Sequence, residues 1–294
     1  MKILVLGSSG FLGKNLLNVL KTNEDNYYLF SKEQKSYNEF DFIKCDLQDH
    51  SKFKKYVKNI NPDICIDLSW LGIPDYSVRN NSLNLNIKKR IYTTLSHYNC
   101  KKIISIGSCW EYGELNGRVS EQMQPYKSPN IFAQTKLQVL DHLKSLSYKS
   151  NLNYIWLRIF FVYGPYGKKT SLLSSIISQY KKNNEIKLNN YTSSHDYIYV
   201  YDVVRAINLC ILNNIDSGIY NVGSGKSTSN IEFLKSFHKV TGKKNDFSST
   251  YTEKKTDEAL IANYQKIHKL IGWKPLFTIH KGLNETLKIL ELNA

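Results

Sequence analysis

The stretch KILVLGSSGFLGKNLLNVLK, residues 2–21, contains the pattern that decides the fold. Its apolar run predicts a buried strand over 2–6, and the apolar periodicity that follows predicts a helix over 11–21. Between them lie three glycines spaced by three, Gly7, Gly10 and Gly13. Glycines there allow a tight turn and close approach of the backbone to a pyrophosphate at the helix N-terminus. The stretch predicts a dinucleotide-binding turn, and a glycine-rich turn without a ligand is the alternative.

Short apolar runs alternate with longer amphipathic segments through the first two-thirds of the chain. This alternation predicts an α/β fold with a doubly wound (Rossmann) parallel sheet, covered by helices on both faces. Further strands are predicted over 27–30, 42–45, 63–68, 102–107, 154–162 and 218–225, and helices over 53–60, 80–98 and 131–148.

The pattern changes after residue 165, which suggests two parts. We expect residues 1–165 to form the dinucleotide-binding domain, with returning segments at about 194–225. Residues 166–193 and 226–294 are expected to form a smaller mixed α/β substrate-binding lobe. Its predicted helices cover 230–241, 262–271 and 280–292.

The composition limits the possible functions. The net charge is +15, but the lysines are scattered and no nucleic-acid-binding motif accompanies them. A positive field also attracts a small polyanion, so we expect a sugar nucleotide and not a nucleic acid as partner. No apolar run is long enough to span a membrane, and a cytoplasmic protein is expected. Five cysteines without a CxxC pair indicate neither disulfides nor a metal site, and Cys45 and Cys65 read as core residues.

Several motifs follow one another in an order that resembles the extended short-chain dehydrogenase/reductase family, in particular its nucleotide-sugar epimerases, reductases and dehydratases. The resemblance covers nearly the whole chain. It rests on GSSGFLG (7–13), KCDLQD (44–49), GSCWEYG (107–113), LRIFFVYGPYG (157–167), HDYIYVYDVVRA (195–206), YNVGSG (220–225) and IGWKP (271–275).

The resemblance implies a role for each matching residue. Ser108 is the implied catalytic serine, Lys136 the implied catalytic lysine, and Asn86 a helix asparagine behind the active site. The residues implied to bind the cofactor are Gly7, Ser9, Gly10, Phe11, Leu12, Gly13, Ser31, Lys32, Asp46, Leu47, Leu68 and Lys136. The residues implied to contact the substrate are Ser108, Cys109, Trp110, Phe161, Arg158 and His195. Relatives often dimerise through helices that match 80–98 and 131–148, so a homodimer is expected.

The family's mechanism uses a tyrosine four residues before the lysine, and here that position holds Phe132. Two explanations remain: an engineered substitution, or a natural variant with another proton source. The otherwise intact motif set favours the engineered substitution. Other sources to consider are Cys109, Glu111, Tyr126 and His195, whereas Tyr112 is mainly structural in the family.

The residues after the second strand bear on the cofactor. Family members that use NAD place an acid there to bind the ribose hydroxyls. Here Ser31 and Lys32 occupy the position, and they suit the 2′-phosphate of NADPH. A solvated surface lysine is the alternative, and Glu33 keeps NAD possible.

Three implied substrate residues have structural alternatives. Phe161 replaces an asparagine found in many relatives, and His195 replaces an arginine that often meets the diphosphate. His195 is equally well explained as a structural histidine. Arg158 is equally well explained as the partner of a core carboxylate.

The reaction is inferred from the residues around Ser108. Dehydratases carry an acid and a base there, but this chain has Cys109 and Trp110, so elimination is disfavoured. Together with Lys32, this favours NADPH-dependent reduction of a nucleotide-linked 4-keto-(6-deoxy) sugar. An NAD-dependent 4-epimerase and a catalytically silent dinucleotide sensor are the alternatives. GSGKST (223–228) lacks the first glycine of a P-loop and is expected to be a strand-ending turn.

Overall fold

The computed structural model describes residues 1–20, 25–33, 36–37, 40–125, 129–182, 185–242 and 259–292, with 36–37 described by their backbone alone. The strands are β1 (Lys2–Leu6), β2 (Asn26–Ser31), β3 (Ser36–Tyr37), β4 (Phe40–Lys44), β5 (Ile64–Asp67), β6 (Lys102–Ser108), β7 (Gly117–Val119), β8 (Asn153–Ile159), β9 (Phe161–Tyr163), β10 (Ser194–His195), β11 (Tyr197–Tyr199), β12 (Gly218–Val222), β13 (Thr228–Ser229) and β14 (Leu260–Ala262).

The helices are α1 (Phe11–Leu17), α2 (His50–Ile60), α3 (Val78–His97), α4 (Ile131–Lys149), α5 (Leu172–Lys181), α6 (Val200–Leu212), α7 (Asn230–Thr241), α8 (Gln265–Ile271) and α9 (Ile279–Ile289). A one-turn 3-10 helix covers Cys109–Tyr112. None of these helices is long and apolar enough to cross a membrane.

The central sheet has the strand order β12-β8-β6-β5-β1-β2-β4-β3. Every neighbouring pair is parallel except β3 and β4, which are antiparallel. The order runs outward from β1 in both directions, which confirms the predicted doubly wound sheet. The carboxyl ends of β1, β5 and β6 therefore meet at one edge, where ligands bind in folds of this kind.

Both faces of the central sheet are buried, and the side chains of β1 alternate between them. Ile3 and Val5 belong to one core cluster, and Leu4 and Leu6 belong to the other. Helices α1, α6 and α7 contribute to the first cluster, and α2, α3 and α4 contribute to the second. Cys45 and Cys65 are buried in the second cluster, as predicted.

Three predicted elements were wrong in their extent. The strand predicted over 154–162 is broken at Phe160, whose N–H donates to the carbonyl of Val222. From there the chain leaves the central sheet, and β9 pairs with β11 instead. The helix predicted over 11–21 ends at Leu17, and the helix predicted over 262–271 begins only at Gln265, because β14 pairs with β7 before it.

Candidate active site

A cavity of about 350 Å³ opens at the edge where the central strands end. Predicted site residues from distant parts of the chain line it together. They are Gly10, Phe11, Leu12, Leu68, Ser108, Cys109, Trp110, Phe132, Lys136 and Phe161. The cavity lining does not include Gly7, Ser9, Gly13, Ser31, Lys32, Asp46, Leu47, Arg158 or His195.

Ser108 is held at the end of β6 by a capping box. Its Oγ accepts a hydrogen bond from the N–H of Trp110 at 3.2 Å, and its own N–H donates to Oε1 of Glu111 at 2.8 Å. These two bonds start the 3-10 helix and fix the serine side chain at the cavity. Since Oγ accepts from the backbone, its hydroxyl proton can be donated to an oxygen in the cavity.

Below Ser108 lies a buried ion pair. Oε2 of Glu111 accepts from Nε of Arg158 at 2.7 Å, and both carboxylate oxygens accept from Nε1 of Trp156 at 3.1 Å. Gly107 is required here, because an added Cβ would lie 2.2 Å from that indole nitrogen. Of the two interpretations of Arg158, the structure shows the pairing with a core carboxylate. Glu111 is committed to the same pair and does not line the cavity.

Lys136 reaches the cavity from α4. Its Nζ donates to the carbonyl of Ile106 at 2.7 Å and lies 3.8 Å from the centroid of the Trp70 ring. Burial and the positive charge of Lys88 lower the pKa of Lys136 to about 7. The ring of Phe132, one helical turn earlier, is buried with its centroid 5.7 Å from this ammonium. Residue 132 and the lysine therefore face the same space.

Four aromatic rings form one wall of the cavity. The Phe132 ring centroid lies 5.4 Å from that of Trp70 and 4.9 Å from that of Tyr76. Trp110 completes the wall, 5.4 Å from Tyr76 and 5.7 Å from Phe132. Sequence reasoning missed Trp70 and Tyr76. The available signal was their position directly after β5, since loops after the carboxyl ends of parallel strands line the ligand cleft.

A second buried lysine lies beneath Trp70. Nζ of Lys88 donates to both carboxylate oxygens of Asp67 at 2.6 Å and to Oγ of Ser69 at 2.8 Å. The hydroxyl of Tyr92 donates to the same carboxylate at 2.8 Å. Although burial raises it, the positive charge of Lys88 holds the pKa of Asp67 below its ordinary value. This network was also missed, because the residues that bond to each other in it are 19 or more positions apart in the sequence, except for Asp67 and Ser69.

The helix asparagine behind the site is Asn84, and the assignment of Asn86 was wrong. Oδ1 of Asn84 accepts from the N–H of Leu71 at 2.8 Å, and its Nδ2 donates to the carbonyl of Leu71 at 3.1 Å. Asn84 is buried, whereas Asn86 is exposed. Two residues correspond to more than half a helical turn, so only one of the two asparagines can face the core.

The glycine turn fits a dinucleotide. Gly7 has a φ of +78°, and an added Cβ would lie 2.9 Å from the backbone nitrogen of Ser69. A Cβ on Gly13 would lie 2.3 Å from the carbonyl of Ser8, so this residue permits close packing of the turn. Gly10 is exposed, and its added Cβ would meet only the carbonyl of Gly7, at 3.2 Å. The approach to the turn is therefore bounded by backbone, as a pyrophosphate requires.

The end of β2 supports this turn. Ser31 is buried, and its Oγ donates to Oγ of Ser9 at 2.8 Å. Lys32 is exposed, with Nζ 3.4 Å from Oδ2 of Asp46. The backbone N–H of Gln48 and, less strongly, this ammonium lower the pKa of Asp46. Ser31 thus braces the turn, while Lys32 remains able to meet an anion.

The other predicted cofactor residues lie at different depths. Leu68 lines the cavity beside the glycine turn, whereas Leu47 packs against the core cluster beneath it.

Phe161 and His195 form a stacked pair at the far side of the cavity. Their ring centroids are 4.0 Å apart with an interplanar angle of 26°. His195 pairs with Thr228 between β10 and β13, and burial lowers the pKa of its imidazole. The histidine is therefore both a structural residue and a neighbour of the cavity lining.

Cys109 and Tyr126 are the two remaining candidate proton sources from the sequence. Cys109 lines the cavity but is almost fully buried, and burial raises the pKa of its thiol far above the ordinary value. Tyr126 lies outside the described residues. The hydroxyl of Tyr112 donates to Oδ1 of Asn221 at 2.8 Å in the core, which is a structural role.

The GSGKST segment is a strand-ending turn, as predicted. It follows β12, and the carboxylate of Asp196 accepts from the N–H groups of Ser224 at 2.6 Å and Gly225 at 3.0 Å. The N–H groups that would hold a phosphate in a P-loop are here occupied by a buried carboxylate of the chain itself.

Comparison with known proteins finds a matching family and similar sequences. Residues 3–223 match the model of the NAD dependent epimerase/dehydratase family. The chain is 25% identical to the CDP-abequose synthase of Salmonella typhimurium, with 97% of each chain covered.

Solved structures share the fold over almost the whole chain. UDP-glucose 4-epimerase from Thermotoga maritima, solved with UDP-glucose, superposes with a TM-score of 0.85 at 21% identity, covering 99% of both chains. UDP-glucose 4-epimerase from Thermus thermophilus, solved with NAD, gives a TM-score of 0.83 at 20% identity, again covering 99% of both chains.

Proposed function

Because the chain belongs to the NAD dependent epimerase/dehydratase family and is a nicotinamide-dinucleotide-dependent enzyme of the short-chain type, we propose that it reduces a nucleotide-linked 4-keto-6-deoxy sugar with NADPH. The product would be a deoxysugar nucleotide used for a surface polysaccharide. The observation that carries the proposal is a single cavity lined by Ser108, Lys136 and Gly10. The relative that makes CDP-abequose supports a nucleotide-linked product.

Reduction is favoured over elimination by the side chains next to Ser108. Cys109 and Trp110 carry no carboxylate, and Glu111 is bound to Arg158 beneath the cavity. Removal of a sugar hydroxyl as water needs an acid and a base in contact with the substrate. A carbonyl reduction needs a hydride from the cofactor, and from the protein only a polarised oxygen and one proton.

Several residues of the chain have separate roles in the proposed reduction. When bound, the reduced nicotinamide supplies a hydride. Ser108 donates a hydrogen bond to the ketone oxygen and so stabilises the negative charge that develops there. Lys136 would hold the dinucleotide ribose with the N–H donors that Ile106 does not use. The aromatic wall of Trp70, Tyr76, Trp110 and Phe132 excludes water from the reacting carbonyl.

NADPH is proposed because Lys32 is exposed at the end of β2, where an ammonium can meet a 2′-phosphate. The carboxylate of Asp46 pairs with Lys32, and this pairing weakens the preference for NADPH over NAD. The solved epimerase that carries NAD supports the second candidate, an NAD-dependent nucleotide-sugar 4-epimerase. Phe132 supports a third, a catalytically silent dinucleotide sensor.

One set of measurements separates the three functions. NADPH and NAD are titrated against the chain, which is then mixed with UDP-, CDP- and dTDP-linked 4-keto-6-deoxyhexoses and with UDP-glucose. Oxidation of NADPH supports the reductase, whereas conversion of UDP-glucose without net oxidation supports the epimerase. Binding without turnover by either this chain or its Phe132→Tyr variant supports the sensor.

Assembly and domain roles are part of the proposal. We expect residues 166–193 and 226–294 to bind the sugar nucleotide above the dinucleotide domain. We also expect a homodimer formed through α3 and α4, and sedimentation analysis of the purified chain tests it.

A further inference from the structure

Tyr76 occupies the cavity beside the residue that lacks a hydroxyl. Its ring centroid lies 4.9 Å from that of Phe132 and 5.4 Å from that of Trp110. The side chain is half-buried and lines the cavity. Its hydroxyl makes no hydrogen bond to any residue that the structure describes. A phenol is therefore available next to residue 132, on a different element of the fold.

The loop that carries Tyr76 is fixed by three asparagines of α3. Nδ2 of Asn81 donates to the carbonyl of Tyr76 at 2.9 Å. Nδ2 of Asn80 donates to the carbonyl of Leu71 at 3.0 Å, and Asn84 binds both backbone groups of that leucine. Side chains that satisfy the backbone of a loop restrict its conformations. Tyr76 is thus held in place, as a residue that transfers a proton must be.

Two other side chains with exchangeable protons that line the cavity are bound within the protein, and Ser108 keeps its hydroxyl proton for the ketone oxygen. Oγ of Ser69 donates to Asp67 at 2.6 Å, and Nζ of Lys168 donates to the carbonyl of Ile73 at 2.7 Å. Lys136 donates to a backbone carbonyl, and the thiol of Cys109 is buried with its pKa raised. Among the described residues that line the cavity, Tyr76 is the phenol with no protein partner.

We propose that Tyr76 is the catalytic proton donor of this enzyme and replaces the hydroxyl that is absent from residue 132. The inference rests on the proposed reductase function. A hydride from the reduced dinucleotide forms the new C–H bond at the keto carbon while the C=O π bond breaks toward oxygen. That oxygen takes the proton of Tyr76, and the phenolate regains a proton from solvent. The ketone is reduced to an alcohol and the dinucleotide is oxidised.

The surroundings of Tyr76 keep its hydroxyl in the protonated form that a donor needs. Burial raises the pKa of its hydroxyl, so it stays protonated through neutral pH. This assignment makes Phe132 a natural variant with a relocated donor, and it favours the second of the two explanations for residue 132.

The first test needs no turnover. A 4-keto-6-deoxyhexose nucleotide labelled with ¹³C at C4 is bound to the chain without dinucleotide, and the ¹³C resonance of the ketone is recorded. Donation from Tyr76 to the ketone oxygen deshields this carbon, so Tyr76→Phe is expected to move the resonance upfield. Tyr148→Phe, at a residue 93% exposed, is the matched control and leaves it unchanged. An identical resonance in Tyr76→Phe and the parent overturns the assignment.

The second test measures hydride transfer in single turnovers with NADPH and the same labelled sugar nucleotides. Tyr76→Phe is expected to slow transfer about 10²-fold or more with little change in sugar-nucleotide affinity. Phe132→Tyr in that background is expected to restore the rate, which also shows that the variant folds.

The outcomes separate the inference from the proposed function. A parent chain that transfers hydride while Tyr76→Phe remains within threefold of it overturns the role of Tyr76 alone. The same conclusion follows if the parent is inactive and Phe132→Tyr is active. If neither chain oxidises NADPH with any labelled nucleotide, the proposed reductase fails, and the role of Tyr76 fails with it.

Discussion

The two ends of the cleft are built in different ways. At the glycine turn the backbone forms the surface, and the side chains around it are small: Ser8, Ser9 and Ser31. At the serine end a buried ion pair holds the 3-10 turn from below, and four aromatic rings cover it. The first end takes its shape from close approach of backbone atoms. The second takes its shape from side chains that belong to four separate segments: the loop after β5, the 3-10 turn, α4 and β8.

This difference decides which changes each end tolerates. A backbone surface is disturbed by any added side-chain atom, whereas an ion pair is disturbed by loss of one charge. The predictions below probe the two ends in turn.

The largest loss of stability is expected at the serine end. Glu111→Gln keeps the side-chain shape but leaves the buried guanidinium of Arg158 without a counter-ion. Breaking a buried pair in this way costs about 3–5 kcal/mol of unfolding free energy. Denaturant unfolding measures the loss. The control is Asp141→Asn, which removes an exposed pair with Lys144 and is expected to cost under about 1 kcal/mol.

A loss below about 1 kcal/mol in Glu111→Gln would contradict the comparison. It would mean that the serine turn is held by its capping bonds and not by the ion pair.

At the glycine end we expect two alanine substitutions to separate stability from binding. Gly13→Ala places a Cβ 2.3 Å from the carbonyl of Ser8 and is expected to cost about 2–3 kcal/mol of unfolding free energy. Gly10→Ala meets one backbone atom at 3.2 Å and is expected to cost under about 1 kcal/mol, while weakening dinucleotide binding. Thermal unfolding and fluorescence titration with NADPH measure the two effects. Equal affinities of Gly10→Ala and the parent would show that the dinucleotide does not approach this turn.

Much of the glycine end was predictable, because its geometry is set within one short stretch. The strand, the turn and the start of the helix follow one another within 2–17, and each has a local signal in composition or period. The sheet was predictable for the same reason. Element ends were less predictable, since the chain leaves the central sheet where the N–H of Phe161 donates to the carbonyl of Asp196, 35 residues away.

The serine end was only half predictable. Ser108 and Lys136 are matched by motif, but the partner of Glu111 lies 47 residues along the chain. Trp70 and Tyr76 belong to no motif, and only the arrangement of strands brings them to Phe132. The confusion of Asn84 with Asn86 has a similar origin, because a motif gives spacing but not the rotation of the helix about its axis.

The lowered pKa of Lys136 makes the stability of the serine end depend on pH. In the folded chain its pKa is lowered to about 7 by burial and by Lys88, from an ordinary value of 10.5. Between these pH values the unfolded state binds a proton that the folded state does not, so stability rises with pH. The slope is at most about 1.4 kcal/mol per pH unit. Lys136→Met removes this contribution, so the unfolding free energy of the variant minus that of the parent is expected to fall by about 2 kcal/mol between roughly pH 7.5 and 9.5.

Denaturant unfolding of both chains over this range measures the difference, and the exposed Lys144→Met serves as the control. Parallel curves for Lys136→Met and the parent would show that the buried ammonium keeps its proton, stabilised by the Trp70 ring.

The smallest effect is expected at Lys32, because its side chain is exposed and screened by solvent. Lys32→Ala is expected to weaken NADPH about fivefold at low salt and to leave NADH unchanged, since only NADPH carries the 2′-phosphate. Asp46→Asn should do the opposite for NADPH, because it frees the ammonium from its 3.4 Å pair. Fluorescence titrations with both dinucleotides measure these changes. The preference for NADPH depends on the cation of Lys32. Equal effects of Lys32→Ala on NADPH and NADH would therefore contradict a contact between Lys32 and the 2′-phosphate, and would favour the NAD-dependent epimerase.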